Sequence, residues 1–121
     1  MKSYPFNGAE HKVFMLNHTP VILVEEHYNN PGTLAVRVLA VRGFLEPYML
    51  EPYMPATVNL DGWTGYDTQT DRRAYLDVNN GGDELVRFVE ENGLASPTGI
   101  RCQSGFVTYP LYEWDTSKFT L

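Results

Sequence analysis

Few residues in this 121-residue chain are of the types that do covalent or metal chemistry. Cys102 is the single thiol, which excludes an intrachain disulfide and fits a reducing compartment. A nucleophilic thiol needs a base or cationic neighbour to lower its pKa. Arg101 is adjacent, yet Ile100-Arg101-Cys102-Gln103-Ser104-Gly105 carries no nucleophile signature. Ser104 does not form a nucleophile elbow either, since positions 102 and 106 are Cys and Phe where glycines are required. His11, His18 and His27 match no zinc spacing and read as surface or strand-end residues. Asp77-Val78-Asn79-Asn80-Gly81-Gly82 begins like a calcium loop, but its twelfth position is Phe88 where a bidentate Glu is needed. A turn and helix start, with Asn79, Asn80 or Asp83 as the cap, is the better reading. Gly81-Gly82 lacks the lysine and hydroxyl of a phosphate loop, and Asp83 and Glu84 would repel a phosphate. The paired carboxylates Glu25-Glu26, Asp83-Glu84 and Glu90-Glu91 are sequence neighbours whose side chains diverge on a strand or helix. The expectation is a non-enzyme with no metal and no cofactor.

Charge points instead to binding. The net charge is −6, and residues 61 to 91 hold eight acids against three arginines, or −5. Direct nucleic-acid binding needs a basic surface that releases phosphate counterions, and none is present. An acidic face suits a basic macromolecular partner. Candidate contacts are Asp83, Glu84, Glu90 and Glu91, followed by the aromatics Tyr48, Tyr53, Trp63 and Tyr66.

These residues need a scaffold. The length and a 43% hydrophobic content predict one domain over residues 1–121. The start of the chain lacks the apolar run of a signal peptide, and no stretch approaches the roughly 18 apolar residues of a membrane span, so a cytoplasmic monomer is expected. Residues 1–10 read as irregular. Strands are predicted over 11–17, 21–28, 34–42, 56–60, 73–78, 100–108 and 111–114, the second and third forming a hairpin across Asn29-Asn30-Pro31-Gly32-Thr33. Glu46-Pro47-Tyr48-Met49 recurs as Glu51-Pro52-Tyr53-Met54, and its prolines predict an extended, exposed loop. Leu85, Phe88 and Val89 line one face of a helix over Asp83–Asn92 that Gly93 ends, with a Pro97-Thr98-Gly99 turn after it. The predicted architecture is α+β: a twisted antiparallel sheet of five to six strands packed against one helix in the C-terminal half.

An ordered set of segments carries a resemblance. It comprises Leu34-Ala35-Val36-Arg37-Val38, Glu51-Pro52-Tyr53, Ala56-Thr57-Val58-Asn59-Leu60 and Tyr75-Leu76-Asp77-Val78-Asn79-Asn80, then Glu90-Glu91-Asn92-Gly93-Leu94, Pro97-Thr98-Gly99 and Ser104-Gly105-Phe106-Val107-Thr108-Tyr109-Pro110-Leu111-Tyr112. Together they resemble a small domain of unknown function from conjugative elements and prophages of gut bacteria, across roughly residues 13 to 114. The resemblance implies an anti-CRISPR role, inhibition of a type II RNA-guided nuclease by protein binding. The alternative is a non-enzymatic accessory protein of a conjugative element or phage. A small hydrolase or metal protein would require Cys102 or the histidines to converge in space.

Overall fold

The structure, a computed structural model, describes residues 3–28, 34–42, 49–60 and 72–121. The described residues form, in order, β1 Ser3–Phe6, β2 Ala9–Lys12, β3 Phe14–Leu16, β4 Thr19–His27, β5 Leu34–Arg42, β6 Met49–Pro55, β7 Thr57–Val58, β8 Arg73–Leu76, α1 Val78–Glu91, β9 Ala95–Ser104 and β10 Val107–Trp114. A 3-10 turn, Thr116–Phe119, comes last.

The class is α+β, but the single sheet of five to six strands is corrected. The strands form two four-stranded sheets, ordered β3-β4-β5-β6 and β7-β8-β10-β9, and a separate β1-β2 ribbon. The division falls at Ala56, whose N–H donates to the Val36 carbonyl at 2.9 Å, while the Val36 N–H donates to Thr57 Oγ1 at 3.0 Å. Those two bonds hold the crossing at β5 and free Thr57–Val58 to pair with Leu76 and Tyr75 of β8. The predicted strand 56–60 is thereby reduced to two residues in the second sheet.

The antiparallel pairing of β4 with β5 is as expected, its predicted turn over 29–33 lying outside the described residues, and both faces of the pair are covered. Val21, Leu23, Val36 and Val38 join Leu85, Phe88, Val89 and Trp114 in the main core. Ile22, Val24, Leu39 and Val41 pack on Tyr4 of the N-terminal ribbon. Residues 3–6 and 9–10 are therefore strand, contrary to the irregular reading of residues 1–10, and the predicted strand 11–17 is divided between β2 and β3. Asn7 and Gly8, at φ 49° and 79°, make the two-residue turn that right-handed strand twist favours. Asn-Gly between alternating residues is the local signal for this hairpin.

Three further corrections concern proline and glycine. Met49–Pro55 is an edge strand on β5, where Pro52 needs no donor on the solvent side. Pro97-Thr98-Gly99 is a bulge within β9, with Gly99 at φ 88° and Thr98 Oγ1 donating to the Leu111 carbonyl at 2.8 Å. The predicted strand 100–108 is two strands meeting at a Gly105-Phe106 turn, Ser104 pairing with Val107. Among the described residues no helix is long and apolar enough to cross a membrane.

Candidate functional site

The helix that carries the acids starts earlier than its apolar period suggests. Asp77, only 4% exposed, is the N-cap. Its Oδ1 accepts from the Asn80 N–H at 3.2 Å and its Oδ2 from Asn80 Nδ2 at 2.8 Å. The calcium-like segment is thus a capped helix start, and the cap is Asp77 rather than Asn79, Asn80 or Asp83. Gly82, at φ 58° and ψ −157°, interrupts the helix after its first turn. The amphipathic part therefore runs from Asp83, where the periodicity placed it. Leu85, Phe88 and Val89 point to the core, and Asp83, Glu84, Glu90 and Glu91 are exposed.

The acids divide between two flanks. Glu84 and Glu91, two turns apart, line a groove of about 320 Å³ with Met15, Leu16, Asn17 and Arg87. Met15, 61% exposed, stands beside the Asn17-His18 turn, where both residues take left-handed φ values of 50° and 64°. A neighbouring groove of about 460 Å³ shares Leu16 and Glu84 and adds half-buried Tyr53, with Met54 and Asn80. Tyr53 and Glu84 are thus brought together. Tyr48, Trp63 and Tyr66 lie outside the described residues. Glu90 turns to the other flank, where its Oε2 accepts a 2.6 Å hydrogen bond from the Tyr112 hydroxyl. That contact was not visible in the sequence, since 22 residues separate the pair.

Electrostatically the first flank stays negative. The salt bridges Arg37–Glu26, Arg42–Glu51 and Arg72–Glu25 all lie off the helix. Asp83, Glu84 and Glu91 form none with a described base; among the described residues Arg87 is the one cation lining the groove of Glu84 and Glu91, and Asp83, on Glu90's side of the helix, lines neither groove. Their field reaches a partner within about one Debye length, roughly 8 Å at physiological salt. The arrangement can attract and orient a basic surface.

Other chemistry finds no assembly. His11 is buried, against the surface reading; its Nδ1 lies 3.2 Å from the Ala9 carbonyl and its ring meets Phe6 edge-on at 5.7 Å. His18 occupies a turn and His27 the exposed end of β4. Among the described residues no three His, Cys, Asp or Glu side chains are grouped to hold a metal. The half-buried Cys102 thiol contacts the Gln103 carbonyl at 3.8 Å and packs with Tyr109 and Leu111.

Two features escaped sequence reasoning. A groove of about 610 Å³ lies on the far flank between Glu90, Glu113, Asp115 and Trp114, and the buried Trp114 Nε1 has no acceptor among the described residues. The β9–β10 hairpin ends in a fully exposed Phe106. Gly105 at φ 63° before Phe106 was the available signal, as glycine favours the first central position of such a turn.

Residues 23–120 match DUF4313, described as a domain of unknown function. The match begins within β4, so it takes in the helix and the whole second sheet but not the β1-β2 ribbon. No curated protein and no solved structure matches the chain.

Proposed function

We propose, on the premise that this chain belongs to the DUF4313 family, that it works without catalysis, by docking the acidic flank of its helix onto a basic macromolecular partner. The observation behind this reading is the pair Glu84 and Glu91, exposed and outside any salt bridge with a described base, beside grooves edged by Met15 and Tyr53, with exposed Asp83 next to Glu84 on the helix. Charges arranged so raise association rates and select partners of opposite sign. Met and Tyr add the adaptable apolar contacts common in protein interfaces.

The partner we propose is a bacterial type II RNA-guided nuclease, in a mobile-element setting. The sequence resemblance suggests it, and such nucleases hold nucleic acid in positively charged channels that an acidic surface can occupy. Titration of the protein into a nuclease cleavage reaction tests this, with addition before or after guide RNA and target DNA. Dose-dependent loss of cleavage is expected, and the order of addition identifies the blocked step. Full cleavage at large molar excess would discard the nuclease as partner and leave an accessory binding role in a conjugative element.

A further inference from the structure

Among the described residues the second sheet has an open edge that the acidic helix does not explain. In the order β7-β8-β10-β9, strand β9 is terminal and ten residues long. The other edges differ: β3 and β7 are short, and β6 carries Pro52 and Pro55. A long unpaired edge offers a row of backbone donors and acceptors to another strand.

Register fixes which groups are open. Ser104 and Val107 flank the two-residue turn and form its hydrogen-bonded pair, so the next pair, Gln103 with Thr108, is non-hydrogen-bonded. Alternation makes Cys102 with Tyr109 bonded and Arg101 with Pro110 non-bonded. The N–H and C=O groups of Arg101 and Gln103 therefore point to the open edge. Pro110, which has no N–H, sits just beyond the last β8 rung at Leu111.

Side chains on the helix face complete the surface. A cavity of about 330 Å³ runs between the helix and this edge, with Val78 and Val86 on one wall and Ile100, Pro110 and Tyr112 on the other. Among the described residues Arg101 is the only charged one lining it. Arg101 forms no salt bridge with a described carboxylate, and β9 contains no acid. On a chain of net charge −6 the charge presented at this edge is thus a cation without an ion-pair partner among the described residues. Glu90, the nearby acid, is held by the Tyr112 hydroxyl.

We propose that Ile100–Ser104 of β9 is the docking site for an extended acidic segment of a partner protein, which adds to the sheet as a fifth strand. Main-chain bonds to Arg101 and Gln103 align it, an apolar side chain enters the cavity, and an acidic side chain two residues on meets Arg101. Strand addition of this kind takes affinity from the backbone and specificity from alternate side chains. The site is separate from the acidic flank and does not depend on the partner proposed for it.

The test uses the full chain and two labelled peptides, acetyl-Thr-Val-Thr-Glu-Thr-Val-Thr-Glu-Thr-amide and its counterpart with Lys for both Glu. Fluorescence anisotropy should show the acidic peptide binding at least about tenfold more tightly. Arg101→Glu should reverse the preference. Gln103→Pro, which removes an outward N–H, should abolish binding of the acidic peptide with the thermal melt unchanged. Arg101→Glu, on an exposed strand, keeps the proposal testable if the proline variant does not fold. Equal binding of the two peptides, no binding of either at millimolar concentration, or indifference to Arg101→Glu would overturn it. So would a wild-type dimer in sedimentation that Gln103→Pro dissolves, which would give the edge to a second copy of the chain.

Discussion

Tyr112 and Glu90 are joined by a 2.6 Å hydrogen bond from the phenol to Glu90 Oε2, which ties the helix to the central strand of the second sheet. Tyr112 as a whole is 4% exposed, and its phenol pKa is pushed up to about 12. Burial is the largest cause, followed by the hydrogen bond to Glu90 and the charge of Glu90, with Arg101 opposing. Glu90 is thus a structural residue, while Asp83, Glu84 and Glu91 remain free to meet a partner.

Tyr112→Phe is expected to cost about 1 kcal/mol at neutral pH, the usual net worth of a hydrogen bond with one exposed partner. The raised phenol pKa sets the pH dependence. Below about pH 10, the ordinary tyrosine value, folded and unfolded phenols are both protonated and the contribution is fully present. Between pH 10 and 12 the unfolded phenol ionises first, so the contribution is lost as pH rises. Urea midpoints for wild type and Tyr112→Phe should therefore converge across that window. A gap that stays constant from pH 9 to pH 12 would refute the assignment.

Asp77→Ala should destabilise the fold by about 1–2 kcal/mol, because it removes the acceptor that caps the helix and leaves the Asn80 N–H unpaired. Asp77→Asn keeps an acceptor oxygen and should lose less than half as much. Chemical denaturation of the three proteins measures the ranking. Equal losses for Ala and Asn would mean that the charge, and not the cap, matters.

Gly82→Ala separates backbone strain from packing. A Cβ at Gly82 meets nothing within 4 Å, so its cost of about 1–3 kcal/mol comes from φ 58°, ψ −157° alone. At Gly81 a Cβ would lie 2.5 Å from the Leu85 side chain, so Gly81→Ala fails through the core instead. Near-UV circular dichroism should change for Gly81→Ala and stay native for Gly82→Ala, while both lower the melting temperature. A Gly82→Ala protein as stable as wild type would show that the helix does not break there.

Asp83→Lys/Glu84→Lys/Glu91→Lys should leave the melting temperature close to wild type, since all three side chains are exposed on the helix. Inhibition of the nuclease should fall at least about tenfold and lose its dependence on salt. Undiminished inhibition by the folded triple variant would remove this flank from the interface. Including Glu90 in such a variant would confound the result, because the hydrogen bond to Tyr112 would be lost with it.

Local patterns determined a good part of this protein. The period of Leu85, Phe88 and Val89 gave the helix its buried face, and β-branched alternation gave the β4–β5 hairpin. The acids are plain in the charge count, and the residue spacing argues against calcium and phosphate loops. What it could not supply were relations between distant residues. Ala56 leaves the first sheet because Val36, distant in sequence, accepts its N–H and donates its own N–H to the Thr57 hydroxyl. Pro52 is tolerated in a strand because that strand lies at an edge, and edges exist only once sheets are ordered. The acids looked equivalent along the helix, yet Glu84 and Glu91 face one groove and Glu90 faces Tyr112. Secondary structure follows from neighbours within a few residues, which sequence displays. Sheet order, burial of both faces of β4, and the partner of each carboxylate follow from long-range packing, which only the folded chain decides.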